Sequence, residues 1–348
     1  MTTISASTSL PHPQWAVSTA DEYTQILQQP KDGLAIVATG SEQGLLNLRG
    51  VDAATGQVKW AVDNAFYANK PPTVGPDGDL YGQNLQGNGI EVRDGKTGQV
   101  IRSMPEPDIA MYTGVTSGKN LYVGAANPTE VGVWALDPSS GQEKWHKALH
   151  YMSGITPTEV GGSVMCENGS DLWALDPDTG TLKWSFQAEH GVNQPPVLGP
   201  DGTLYVIDHN STVYALDSKN AQGEVKPKWT NHLDMPVKNP DQVNNLDVSQ
   251  PLVFTPQGLV VAATGQSVRL LDAATGQQKW EDQLPIDSPA VAGANGQVYV
   301  GNGEGISQFN PADGSTAYWQ ATFEAPPAGQ APANIIAPFG VGKLAGFQ

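Results

Sequence analysis

Leu-Asp-Pro-Asp-Thr-Gly-Thr-Leu-Lys-Trp, residues 175–184, is one copy of a phrase that occurs seven times along this chain. The others are VDAATGQVKW (51–60), VRDGKTGQVI (92–101), LDPSSGQEKW (136–145), LDSKNAQGEVKPKW (216–229), LDAATGQQKW (271–280) and FNPADGSTAYW (309–319). Their anchors, Asp52, Asp94, Asp137, Asp176, Asp217, Asp272 and Asn310, lie 42, 43, 39, 41, 55 and 38 residues apart. That is the period of a four-stranded propeller blade. The expected fold is therefore all-β, a β-propeller of four-stranded antiparallel blades.

Working outward from the copy at 216–229, the unit reads QPPVLG (194–199), Asp201-Gly202, TLYVID (203–208), a polar link and TVYALD (212–217). Asp201-Gly202 signals a tight hairpin, because a primed turn needs positive φ and glycine adopts it without steric cost. The same slot recurs at Asp32-Gly33, Asp77-Gly78, Ser117-Gly118, Gly161-Gly162, Gln257-Gly258, Asn295-Gly296 and Val341-Gly342, making eight inner hairpins. The aspartate of each Asp-x-x-Thr-Gly phrase can accept from backbone amides two and three residues on, so these residues read as turn locks. Calcium at DPDTG or DGKTG is the rival reading, although one turn offers few oxygen donors. Trp60, Trp145, Trp184, Trp229, Trp280 and Trp319 hold the fourth strand, where periodic aromatics wedge between neighbouring sheets; a row of sugar-stacking platforms is the alternative. Ile101 stands for the tryptophan in the second copy, which predicts a thinner contact there.

The chain has 348 residues, and a repeat array can run to that length as one body, so a single domain over 1–348 is expected. Gly 39 and Pro 27 fall at regular turn positions between apolar runs. With 35 acidic against 18 basic residues the formal charge is −17, which argues against nucleic acid and anionic membrane surfaces as partners. No apolar run is long enough for a spanning helix, and MTTISASTSLPHPQW has neither a basic head nor an apolar core, so membrane insertion is not expected. Cys166 is the one cysteine, which leaves no internal disulfide. A monomer is expected, exported to the periplasm or outside the cell if a leader was removed or the route is unconventional, and otherwise cytoplasmic.

Tyr-Ala-Leu-Asp followed by Thr-Gly and Lys-Trp resembles the repeat of pyrroloquinoline-quinone-type propellers over about residues 30 to 348. That bacterial family includes quinoprotein alcohol dehydrogenases and the propeller lipoprotein of the outer-membrane barrel-assembly machine. The resemblance carries the fold; the repeating residues are those that shape each blade. Members with dehydrogenase activity resemble one another in a much longer chain, a vicinal cysteine pair beside the quinone and a calcium held by carboxylate and amide oxygens. With one cysteine and about half that length, this chain is expected to work without PQQ and calcium.

Seven turn phrases against eight hairpins imply that the ends share a blade. ANIIAPFGVGKLAGF reads as two inner strands, while TTISAS and PQWAV offer outer ones, so residues 1–20 and 331–348 would jointly close an eighth blade; seven blades with an N-terminal arm is the alternative.

In this connectivity the segments after each tryptophan gather at the mouth of the central channel, where function should concentrate. They supply Phe66, Tyr67, Asn69 and Lys70; Asp108, Met111 and Tyr112; His150 and Tyr151; His190, Asn193 and Gln194; Asn239, Asp241, Asn244, Asn245 and Asp247; Asp287 and Ser288. The link from Trp229 to Leu252 is about a dozen residues longer than its counterparts. The leading reading is a non-catalytic interaction module that presents these loops to a protein, peptide or glycan. One alternative is a lyase-like carbohydrate-active enzyme using His150, His190, Tyr67, Tyr112, Tyr151 or Lys70 as acid and base; another is a PQQ-dependent dehydrogenase. Histidines spread over different blades without HxH or HxxxH spacing argue against a metal site.

Overall fold

The structure is a computed structural model that describes residues 15–18, 23–40, 44–68, 70–87, 89–105, 110–150, 156–192, 194–233, 252–263, 267–283, 286, 290–293, 296–301, 305–320, 335–338 and 343–347. Among these residues every regular element is a strand. Seven consecutive meanders form antiparallel four-stranded blades of the propeller type. Blade one opens at Tyr23–Lys31, blade two at Thr73–Val74, blade three at Ala110–Ser117 and blade four at Thr158–Val160. Blades five, six and seven open at Val197–Leu198, Leu252–Thr255 and Val291–Ala292.

The expectation of eight four-stranded blades is thereby corrected to seven. The two ends do meet: Trp15–Ser18 pairs antiparallel with Lys343–Phe347, which pairs with Ile335–Pro338. The sheet they build has three strands among the described residues. Ile335–Pro338 also packs against Tyr23–Lys31 and Val298–Gly301. TTISAS lies outside the described residues.

The chain separates into two compact units, one of residues 42–48 and 62–234, the other of 1–41, 49–61 and 235–348. Blades two to five lie in the first unit, blades six and seven and the terminal sheet in the second, and the residues of blade one are shared. In the first unit Tyr81 and Val92 of blade two join Leu121 and Trp134 of blade three in one core. Tyr122 and Trp145 of blade three join Val164 and Leu175 of blade four, and Trp184 joins Leu204, Leu216 and Val225 of blade five. In the second unit Val268 and Leu270 meet Val298 and Phe309. The cores thus lie between successive sheets, as alternating strands with two buried faces require.

Copies one to four and six of the repeated phrase build one turn in one way. Asp272 Oδ1 accepts from the amides of Ala274 and Thr275 and from Thr275 Oγ1 at 2.9–3.0 Å, and Gly276, at φ 73°, returns its N–H to the Asp272 carbonyl at 2.8 Å. A register shift follows between the third and fourth strands at Ala135/Leu136, Ala174/Leu175 and Leu270/Leu271. This bulge skips the lysine of Lys-Trp, and Lys144 and Lys279 reach back to Asp137 and Asp272 at 3.3 and 3.0 Å. Blade two shifts likewise at Val92/Arg93, whereas blade seven pairs without a shift. Hydrogen bonds from Lys279 and Thr275 hold the Asp272 carboxyl down at about 2. We expect Asp272→Ala to cost about 1 kcal/mol in urea unfolding at pH 7, the net worth of such a bonded turn. A carboxyl lowered on folding stabilises above its unfolded pKa and loses that contribution as pH falls through the folded value, so the difference between variant and parent should narrow below pH 4.

Trp145 lies against the next blade: its Nε1 donates to Pro177 O at 2.9 Å, and a Cβ on Gly180 would come within 2.5 Å of its ring. Trp280 stacks on Phe309 at 5.8 Å between centroids. The second copy departs from the expectation. Ile101 occupies the bulge slot and is 50% exposed, while Arg102 takes the tryptophan register opposite Val92. Its Nη2 donates to Pro138 O at 3.0 Å, so a guanidinium makes the contact with blade three that an indole makes elsewhere.

Candidate functional site at the link end of blades three to five

Each blade has two ends. One, the turn end, carries the turns joining strands one to two and three to four; the other, the link end, carries the two-to-three turns and the links between blades. Among the described residues, those expected from the sequence belong to the link end. Tyr67 closes the last strand of blade one, and its hydroxyl donates to Leu85 O at 3.0 Å. Lys70 Nζ donates to Oε1 of the buried Gln83 at 2.8 Å. Tyr112 sits in the first strand of blade three, between Met111 and Val115, where the pairing shifts register. Asn69, Asp108, Tyr151, Asn193, Asn239, Asp241, Asn244, Asn245, Asp247, Asp287 and Ser288 lie outside the described residues.

The link end of blades three, four and five brings histidines, amides and carboxyls together. Buried Asn168 ends the second strand of blade four; its Oδ1 accepts the His150 amide at 2.7 Å and its Nδ2 lies 3.4 Å from His150 Nδ1. His190 projects from the next link, its Nε2 3.9 Å from Glu189 Oε1. Gly191 follows at φ 70°, and its carbonyl accepts the His209 amide at 3.2 Å. A Cβ on Gly191 would meet His209 Cδ2 at 3.6 Å and Glu167 Oε1 at 3.8 Å. Glycine therefore satisfies the left-handed backbone and brings His209 and Glu167 to one spot.

Electrostatics follow from burial. Glu167 is 3% exposed, and burial pushes its carboxyl up to about 7. Burial lowers His209, the neighbouring Asp208 opposes that shift, and His190 adds to it. Asp208 is fully buried and accepts from the amides of Asn210 and Thr212 at 2.9 and 2.8 Å and from Tyr214 Oη at 2.9 Å. Burial together with that carboxylate raises the phenol to about 12. Burial thus disfavours the charged form of both Glu167 and His209 at this end.

His150 and His190 are thus placed on successive blades of one face. Sequence reasoning missed Glu167, Asp208 and His209. Superposing the second strands would have exposed the first: Glu167 occupies the slot that holds Ile207 in blade five and Gly124 in blade three. No group of three or more His, Cys, Asp and Glu side chains disposed for a metal occurs among the described residues. Cys166 is buried in the second strand of blade four opposite Trp173.

Residues 47–222 and 174–337 match the family model described as outer membrane protein assembly factor BamB. Among curated proteins none matches the sequence. Several solved structures are similar in fold. BamB from Moraxella catarrhalis is 18% identical with a TM-score of 0.56, covering 85% of this chain and 84% of that one. A europium-containing methanol dehydrogenase is 14% identical with a TM-score of 0.62, covering 95% and 85%. The computationally designed Ika8 protein is 19% identical with a TM-score of 0.52, covering 85% and 84%. At these identities the likeness speaks to the propeller fold.

Proposed function

The chain belongs to the family of the outer membrane protein assembly factor BamB, and from that we propose that it is a non-catalytic propeller module that binds a protein partner through its link end. The observation that carries this reading is the grouping of His150, Asn168, His190, His209 and Glu167 at the link end of blades three to five. Asn168 fixes the link through the His150 amide. His150 and His190 are exposed, and they are the polar groups that this end offers to the rim of an interface. The sequence of the long link at 234–250 is rich in Asn and Asp.

The module works, in this proposal, without quinone or calcium. The one thiol is buried between strands, where it cannot offer the vicinal pair of the dehydrogenases. Titration with the quinone and calcium, followed by absorbance, should stay flat; a saturable spectral change would restore the dehydrogenase reading.

The binding test uses photo-crosslinking residues placed at position 190 on the link end and at position 101 on the outer strand of blade two. Adducts should form from position 190, and His190→Glu should weaken capture of the cross-linked partner about tenfold, some 1.4 kcal/mol, at unchanged melting temperature. Shortening residues 234–250 should act in the same direction. Adducts confined to position 101 would end the proposal.

A further inference from the structure

We propose that a groove at the turn end, between blades four and five, is a second binding site, made for an extended acidic peptide segment of a partner protein. It lies at the opposite end of the strands from His190 and Glu167 and does not depend on the link-end reading. The groove encloses about 930 Å³, within the range of roughly 300–1,000 Å³ typical of ligand pockets.

One wall comes from the fifth copy of the repeat, whose turn is longer than the others. Its Gly223–Glu224 segment pairs in parallel with Trp184 and Ser185, making blade four a five-stranded sheet. Val225 then donates its N–H to Ser185 O at 2.8 Å and buries its side chain in the core between the two blades, where Ala221 also packs. The insertion is therefore a fixed wall, held by a strand pairing and two apolar anchors. The opposite wall is the Gly161-Gly162 hairpin, both residues at positive φ, and together with Gly202 and Gly223 it presents backbone that a peptide main chain can approach without meeting a side chain.

The chemistry of the lining selects the ligand. Leu182 and Leu198 are 42% and 41% exposed, large apolar groups left in water at the groove. The lining includes Lys183 and Lys219 and no carboxylate, in a chain whose formal charge is −17. Of the acids beside the groove, Asp217 accepts from the Lys219 amide at 3.2 Å and Asp201 from the Thr203 amide and hydroxyl at 3.0 and 2.8 Å, while Glu224 pairs with Lys226 and Asp178 with Lys119. Lys183 Nζ donates to Gly162 O at 3.2 Å, which leaves further ammonium donors for a carboxylate. Aliphatic groups alternating with carboxylates on an extended backbone would satisfy the leucines, the lysines and the glycine backbone together.

The test is fluorescence anisotropy of the full chain with a labelled hexapeptide LDLELD and its amide analogue LNLQLN. The acidic peptide should bind at least about tenfold more tightly than the amide. Lys183→Gln with Lys219→Gln, or Leu198→Ser, should each weaken it about tenfold. Lys96→Gln, a distant change on another blade, should leave its affinity unchanged, and circular dichroism confirms that each variant is folded. Equal affinity for the two peptides, indifference to the lysine and leucine changes, or displacement by millimolar acetate as complete as by unlabelled peptide would each overturn the proposal, the last reducing the groove to a site for small carboxylates.

Discussion

Trp184→Ala should lower the stability of the unit containing blades two to five by about 4 kcal/mol, in the range measured for emptying a fully buried large aromatic site. Trp184 is 1% exposed and shares a core with Leu172, Phe186, Leu204, Leu216 and Val225, so truncation removes contacts on blade four, on blade five and on the insertion together. Against total stabilities of roughly 5–15 kcal/mol for a domain, the loss would place the variant close to unfolding at 37 °C. The backbone of the Trp184 region is held by pairing on both sides, to Ala174 and to Gly223, so collapse of the cavity is restricted and the cost stays high. Urea unfolding followed by circular dichroism measures it, and Trp184→Phe should recover about half. A loss below about 1 kcal/mol in the alanine variant would mean that the repeated aromatic does not wedge the blades. Blade two provides the natural comparison: Arg102 takes the same register and makes one charged hydrogen bond to Pro138, so Arg102→Ala should cost less.

The repeat made the blades legible because each signature residue has one local job. An aspartate that accepts its own amides, a glycine at positive φ and a lysine at a bulge act within ten residues, and their spacing survives in sequence. The closing geometry was less legible, because it depends on how two distant ends pair: the ends do pair, through Trp15–Ser18 and Lys343–Phe347, but their sheet has three described strands. Arg102 was legible by counting: tryptophan stands eight residues after Asp52, Asp137, Asp176 and Asp272, and eight after Asp94 is Arg102, whereas Ile101 falls in the slot that holds lysine in those copies. At the site, His150 and His190 were legible from the links, but Glu167 was not, since its meaning lies in burial beside Gly191 and His209. Likewise the fifth copy is visibly longer, yet nothing in its sequence states that the extra residues pair with the preceding blade.

Glu167 should make the stability of the fold fall as pH rises, against the trend set by the turn aspartates. In the unfolded chain its carboxyl releases its proton near 4.5, whereas burial in the folded state holds it to about 7. Between these values the folded state binds more protons than the unfolded one, so stability decreases across this window and is flat above it. The shift corresponds to about 3 kcal/mol at 1.36 kcal/mol for each pKa unit. His209, lowered by burial, works the other way: it destabilises as pH falls below its unfolded value, and so partly masks the effect in the parent protein. Asp208, Tyr214 and His190 share the surroundings of His209, which makes the difference between two variants a cleaner readout than either curve alone. Glu167→Gln preserves the shape of the side chain and cannot ionise. It should match the parent near pH 4.5 and exceed it by about 2 kcal/mol at pH 8, allowing for relaxation around the charge. Denaturant unfolding of the pair across pH 4.5–8 decides the matter: a stability difference that does not grow with pH would show that Glu167 is ionised at no cost, and that the link end presents a permanent negative charge to its partner.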